Sequence, residues 1–369
     1  MNVPYFDLRR ATARLRDDLE RRWRGVLDGT SFVLGPEVAE LERGFAAFVG
    51  APGCVGVANG TDALVLALRA LDLAPGDEVI VPAFTFFATA EAVVLAGGVP
   101  IFADVEPDTL NLDPEDAERR VGPRTAGILG VHLYGRPFDA DRLGAVAGRR
   151  GLWLVEDAAQ AHGAAWQGRK AGTIGRLAAW SFYPTKNLGA FGDGGAVTGP
   201  DEALLDRVRR LANHGQERRY HHLLVGTNSR LDSLQAAVLN CRLPHLAADN
   251  DRRRRIACRY QGGLAGAGDV SFPADPPGAF TVYHQFAVRT AHRDELAVHL
   301  AREGVGSSIH YPETLNRQPA FAGHPQAGEA LPVSEAAAAE LLCLPCFPEL
   351  EDAEVDRVCE AVHGFFAAG

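Results

Sequence analysis

The sequence predicts an α/β protein, a mostly parallel sheet covered by helices and followed by a smaller α+β unit, and three observations carry that reading. From about residue 54, short runs rich in β-branched residues alternate with amphipathic helical stretches, as expected of strands that return to one sheet through helical crossovers. After Asp201 the alternation gives way to long helical stretches and then to a mixed region. The 369 residues are 47% hydrophobic, which supports a sizeable core.

Two helices are expected before the sheet, at 12–28 and 36–49. The second opens with Gly35-Pro36-Glu37: proline presets the backbone of a first turn, and an early carboxylate suits the positive end of a helix. The expected strands are Cys54–Ala58, Glu78–Val81, Val99–Ala103, Thr125–Val131, Leu152–Glu156, Ala178–Phe182 and Ala196–Thr198. Helical patterns lie between them at Ala63–Leu73, Phe87–Ala96, Pro114–Val121 and Asp139–Arg149. Further on, helices are expected at 201–213, 231–247, 293–303 and about 351–365, with strands at Val282–Val288 and near Gly306–Ile309. Phe272–Ala279, rich in proline and glycine, reads as a loop. These patterns divide the chain into a large domain, 1–249, and a smaller one, 250–369.

Composition excludes several functions. A formal net charge of −10 opposes a protein that coats nucleic acid, a task that needs a basic surface to displace counterions. The one basic run, Arg252–Arg255, follows Asp249 and Asp251 and reads as a solvated or salt-bridged helix face. No apolar run reaches membrane-spanning length and the N-terminus lacks signal-peptide character, so no membrane partner and a cytoplasmic location are expected. The six cysteines are scattered, which favours free thiols. Cys343-Leu344-Pro345-Cys346 has zinc-like spacing but no second pair, so a buried structural pair is expected and no metal.

Only two lysines, Lys170 and Lys186, stand among 37 basic residues. Arginine cannot condense with a carbonyl, whereas a desolvated lysine amine can lose its proton and form a Schiff base. Lys186 is the better placed, in Ser181-Phe182-Tyr183-Pro184-Thr185-Lys186 between an apolar run and the turn Gly192-Asp193-Gly194-Gly195. Two other constellations accompany it. Strand Cys54–Ala58 runs through Asn59-Gly60-Thr61-Asp62 into a helix: an anion seat of free N–H groups, or an ordinary turn capped by Thr61 or Asp62. Strand Leu152–Glu156 ends at Asp157-Ala158-Ala159-Gln160, where an acid lies beyond a strand's carboxyl end and small residues admit a flat ring. A protonated pyridine nitrogen would partner such a carboxylate, although a helix cap is also compatible. A phosphate seat, an acid and an isolated lysine are the three anchors that pyridoxal phosphate requires.

Here the chain resembles the DegT/DnrJ/StrS family of sugar aminotransferases. The resemblance is carried by Val33-Leu34-Gly35-Pro36-Glu37-Val38, Asn59 to Leu64, Val81 to Phe86, Glu156 to Gly163, Ser181 to Lys186 with its glycine turn, and Asn228 to Ala237. It implies a three-layer fold of the aspartate-aminotransferase type, pyridoxal 5'-phosphate as cofactor, and roles for matching residues. Lys186 looks like the Schiff-base lysine and proton carrier, and Asp157 like the partner of the pyridine nitrogen. Gln160 is similarly placed for the phenolic oxygen, Gly60, Thr61 and Ser181 for the phosphate, and Phe86 for the ring face, or else Phe86 is a core residue, since Phe84, Phe86 and Phe87 cannot all face a cofactor. Asn228 matches a residue that reaches the neighbouring subunit's cofactor, which implies a homodimer with shared sites. Tyr183, His310 and Tyr311 resemble sugar-pocket positions, and Arg219 one that approaches a nucleotide diphosphate from the partner chain. His162, His214, His221 and His222 read as structural or solvated.

The resemblance further implies an amino-acid donor, L-glutamate, and a nucleotide-linked keto-sugar, with the Phe182–Ala190 segment nearer the branch that acts on 3-keto-6-deoxy sugars than the one acting at carbon 4. Thr314 and Asn316 depart from the family pattern ahead of Gln318-Pro319. The competing readings are a 4-keto-sugar aminotransferase, a same-fold sugar dehydratase, which would carry histidine in place of Lys186, and a non-catalytic regulatory relative.

Overall fold

The structure, a computed structural model, describes residues 2–368. Helix α1 (Leu8–Gly29) starts where the Asp7 carboxylate accepts the Arg9 N–H at 2.9 Å. Helix α2 (Pro36–Val49) has its proline in the first turn and ends at Gly50, whose φ of 81° is left-handed. There follow β1 (Gly53–Val57), α3 (Gly60–Ala70), β2 (Glu78–Pro82), α4 (Ala88–Leu95), β3 (Val99–Ala103), α5 (Pro114–Arg119), β4 (Thr125–Val131), α6 (Ala140–Arg150) and β5 (Trp153–Asp157). A small hairpin of β6 (Ala165–Trp166) and β7 (Arg169–Lys170) leads to β8 (Leu177–Ser181) and β9 (Gly195–Gly199).

The seven long strands form one sheet in the order β1-β9-β8-β5-β4-β2-β3. Its ladders are parallel except for those of β9, which runs antiparallel to both β1 and β8. Six strands therefore share one direction, and their carboxyl ends form a common rim, the place where α/β proteins bind ligands. Alternating side chains feed two faces. Val57, Val81, Leu129 and Val155 pack with α3 on one face. On the other, Ile80, Ile128 and Leu154 meet α6, and Trp180 and Ala196 meet α2. The result is the expected three-layer arrangement.

The rest comprises α7 (Glu202–Ala212), β10 (Gln216–Arg218), β11 (His221–His222), α8 (Ser233–Arg242), α9 (Leu246–Gly263), β12 (Ala279–Phe280), β13 (Phe286–Arg289), α10 (Arg293–Arg302), α11 (Pro332–Glu340), β14 (Leu341–Leu344) and α12 (Asp352–Ala368). A second core gathers residues 256–362 of this part together with Val3. Residue 250 lies inside the unbroken helix α9.

Several elements differ from expectation for identifiable reasons. The helix expected over 231–247 stops at Arg242 because Pro244, which has no N–H, turns residues 243–245 into a 3-10 turn before α9 begins. The strand expected over Val282–Val288 forms only from Phe286, since Val282 and His284 give their N–H groups to Gly135 and Tyr134 at the rim. No strand forms at 306–309: Gly306 donates to the Val3 carbonyl, and only Ser308 bridges to Cys343. The partner of β13 is β14, from an apolar run whose pattern does not separate strand from helix. Within the basic run, Arg252 pairs with Asp352 at 2.7 Å as expected of a salt-bridged face, but Arg253 is 2% exposed and donates to main-chain carbonyls.

Candidate active site

The rim of strand ends encloses a cavity of about 750 Å³. Gly60, Thr61, Phe86, Asp157, Gln160 and Ser181 all line it, as do Lys186, Tyr183, His310 and Tyr311. Asn228 and Arg219 do not. Both are exposed outside it, Asn228 bridged to Asn213 and Arg219 lying over the Tyr220 ring at 5.0 Å.

Lys186 sits in a turn closed by its own N–H to the Tyr183 carbonyl, 2.8 Å, and by Ala190 N–H to the Phe182 carbonyl, 2.7 Å. Gly189 permits this turn, because a Cβ there would lie 2.4 Å from the Pro184 carbonyl oxygen. The adjacent Asn187 is buried and hydrogen-bonded to Asn250 and Val282, which anchors the turn. The Lys186 amine has no hydrogen-bond or ion-pair partner among the described residues. Burial pushes its pKa down to about 8, with Asp157 opposing the shift. Lys170 is occupied elsewhere: its ammonium donates to the Phe48 carbonyl and lies over the Phe48 ring at 4.5 Å.

Asp157, at the end of β5, is 6% exposed. Its Oδ2 accepts from the Thr89 hydroxyl at 2.9 Å and its Oδ1 from the Ala159 N–H at 3.2 Å. Burial pushes the carboxyl above its usual range, while those bonds and Lys186 pull it back. A cationic nitrogen arriving in the cavity would supply what the carboxylate lacks. Glu156, facing the opposite way, is fully buried against His132 at 2.9 Å and the N–H groups of Gly172, Ile174 and Gly175.

Gln160 is oriented without ambiguity. Its Oε1 accepts the Tyr134 N–H at 2.6 Å, so Nε2 is the donor that reaches the Tyr311 hydroxyl at 3.1 Å, and one amide hydrogen remains free. At α3, the cap is Asn59, whose Oδ1 accepts the Asp62 N–H at 2.8 Å, and not Thr61 or Asp62. Ala63 N–H returns to the Asn59 carbonyl, which leaves the first N–H groups of Gly60 and Thr61 without an intrahelical acceptor. Gly60 also lets the helix meet β8, since a Cβ there would lie 2.7 Å from Ser181 Cβ. Of the three phenylalanines, Phe84 is buried and Phe87 packs into the core, whereas Phe86 is 54% exposed on the cavity wall.

These residues fit pyridoxal phosphate: an anion seat at a helix start, a buried carboxylate short of a cation, a free amide N–H, an open aromatic face and an unpartnered amine of low pKa surround one space. Sequence reasoning missed Thr89, which fixes Asp157, and the wall residues His284 and Gln285. The only available signal was the polar pair itself, interrupting an apolar strand pattern. His162 proves fully buried among Phe45, Trp180 and Phe182, with both ring nitrogens unpaired.

A three-layer fold with these residues around one cavity is that of a pyridoxal-phosphate-dependent enzyme. The chain belongs to the DegT/DnrJ/EryC1/StrS aminotransferase family, whose profile matches residues 14–363. It is 46% identical to a dTDP-3-amino-3,4,6-trideoxy-alpha-D-glucose transaminase from Streptomyces venezuelae, over 98% of this chain and 95% of that protein. It is 41% identical to a UDP-2-acetamido-2-deoxy-3-oxo-D-glucuronate aminotransferase from Pseudomonas aeruginosa, over 98% and 99%. The crystal structure of S. venezuelae DesV superposes with a TM-score of 0.97 at 46% identity, covering 99% of this chain and 98% of that one.

Proposed function

We propose that the protein transfers an amino group from L-glutamate to a nucleotide-linked keto-sugar, a dTDP-3-keto-6-deoxyhexose, in amino-deoxysugar biosynthesis. The observation that carries this reading is the unpartnered Lys186 amine sharing one cavity with the buried Asp157 carboxylate. Both relatives described above carry position 3 in their names, which supports amination at carbon 3 over carbon 4.

Bound pyridoxal phosphate supplies an electron sink for the carbon that carries the amine. The Gly60 and Thr61 N–H groups and the Ser181 hydroxyl would hold its phosphate, Phe86 would cover the ring, and the free Gln160 N–H would serve the phenolic oxygen. Asp157, itself 6% exposed, would keep a proton on the ring nitrogen by preorganised charge. Lys186, with a pKa of about 8, has an appreciable neutral fraction at neutral pH, so its Nζ would be the group to hold the cofactor's aldehyde carbon and would serve as the base that takes and returns the proton at the substrate carbon. Tyr183, His310 and Tyr311 form the sugar side of the pocket. The presence of Lys186 opposes the dehydratase reading. Incubation with dTDP-, UDP- and GDP-linked keto-sugars plus glutamate, with the product read by mass and NMR, tests the assignment. An amine at carbon 4 overturns the regiochemistry, and failure of the bound cofactor to take an amine from any donor favours the regulatory reading.

A homodimer with shared sites belongs to the same proposal. Asn228 and Arg219 are exposed away from their own cavity, and Phe32, Val33, Leu34, Leu223 and Val225 leave apolar surface uncovered. The cytoplasm suits six cysteines that are all unpaired. Residues 250–369 are proposed as the smaller unit, supported by the second core and testable by limited proteolysis.

A further inference from the structure

One wall of the cavity is fixed by a relay of hydrogen bonds whose directions follow from chemistry. The His162 main-chain carbonyl can only accept, so the Asn250 atom 2.7 Å away is Nδ2, and Asn250 Oδ1 is therefore an acceptor. Asn187 Nδ2 gives one hydrogen to that oxygen at 2.9 Å and the other to the Val282 carbonyl at 3.1 Å. Asn187 Oδ1, which has only lone pairs, then lies 3.1 Å from His284 Nδ1. His284 must carry its hydrogen on Nδ1. A neutral imidazole has one such hydrogen, so Nε2 is left with a bare lone pair.

The neutral state is enforced as well. His284 is 6% exposed, and burial, with Lys186 and Arg253 nearby, pushes its pKa well below the usual histidine range. Arg253 also donates to the Tyr283 and His284 carbonyls at 3.2 and 3.4 Å, which holds the backbone in place from behind. His284 lines the cavity, and its Nε2 has no hydrogen-bond partner among the described residues. A fixed acceptor repels the carboxylates of an amino-acid donor but suits a hydroxyl, a group that a sugar presents at several carbons.

We propose that His284 is a specificity-determining residue whose Nε2 accepts a hydrogen bond from a ring hydroxyl of the sugar acceptor. The proposal rests on the sugar-aminotransferase reading. Losing one hydrogen bond to a buried group predicts that His284→Phe lowers kcat/KM about 10- to 100-fold in the sugar half-reaction. The loss there exceeds that in the glutamate half-reaction by at least about tenfold, because the donor's carboxylates have no hydrogen to give and its amine is the group transferred. His284→Gln, which keeps an acceptor, recovers part of the loss. Analogues that each lack one ring hydroxyl locate the partner: with one of them, wild type and His284→Phe become equal.

Independently of turnover, 15N spectra of histidine-labelled holoenzyme read the tautomer. The expected result is a protonated Nδ1 and an unprotonated Nε2 on His284. A hydrogen on Nε2, equal losses in the two half-reactions, or an undiminished difference with every analogue overturns the proposal. If the enzyme takes an amine from glutamate yet aminates no keto-sugar, the sugar reading fails, and the hydroxyl assignment with it. The spectrum still reports whether the relay exists, so the two failures are distinguishable.

Discussion

Thr89 donates its hydroxyl to Asp157 Oδ2 at 2.9 Å, the only side-chain hydrogen bond this carboxylate receives among the described residues. Asp157 is already pushed up by burial, and the Thr89 bond is what most opposes that push. Thr89→Val keeps the shape and removes the donor. The account predicts a further rise in the Asp157 pKa, seen as an upward move of the acid limb of the pH–kcat profile, and a fall in kcat of about 3- to 10-fold. An unchanged profile would show that Thr89 contributes only packing.

Lys186 sets a second pH dependence. Its pKa of about 8 lies below the ordinary 10.5, so the neutral amine grows as pH rises and saturates above about pH 9. The rate at which apoenzyme takes up pyridoxal phosphate, followed by absorbance, should rise about tenfold per pH unit below pH 7 and level off near pH 9. A rate still climbing at pH 10 would mean that the amine is not desolvated.

His162 predicts an acid liability. Burial, helped by Lys186, holds its pKa at about 3 against 6.5 unfolded. Below pH 6.5 the unfolded chain binds a proton that the folded one refuses, so stability falls as pH drops from 6.5 towards 3. At pH 5 the cost is about 2 kcal/mol. His162→Phe, placed among Phe45, Trp180 and Phe182, should shrink the drop in Tm between pH 7.5 and pH 5 by roughly 2–4 °C. His284 and His310 are depressed too, so part of the slope remains.

The proposed sharing of sites between two subunits predicts complementation. Lys186→Ala and Asn228→Ala are each expected to be impaired alone. A mixed dimer places both lesions in one site and leaves the other intact. Random pairing of equal amounts should restore about a quarter of wild-type activity. Activity that never exceeds that of the two parents would place Asn228 outside the neighbouring site.

The residues that line the cavity were legible in the sequence because each lies at or just beyond the carboxyl end of a strand, where spacing and chemistry coincide: Gly60 and Thr61 at the start of α3 just after β1, Asp157 at the end of β5 with Gln160 beyond it, Lys186 after β8. The sheet was legible from its alternation with helices. What escaped is built by contacts across the fold. Thr89 is an ordinary helix residue until α4, packed on β2 and β3, brings its hydroxyl to Asp157, and Asn250 reads as surface until α9 meets the Lys186 turn. Leu341–Leu344 is an apolar run that gains strand character only from β13, while Gly306 is captured by Val3 and forms no strand. Lys170 shows the converse: rarity marked both lysines, and only the structure shows that one of them is spent on Phe48.

The central claim is that Lys186 is the residue joined to the cofactor. Incubating the protein with pyridoxal phosphate, reducing with borohydride and mapping the product by mass spectrometry tests it directly. The account predicts the adduct on the peptide containing Lys186, with Lys170 unmodified. A colourless protein with no adduct, or an adduct on Lys170 alone, would contradict it.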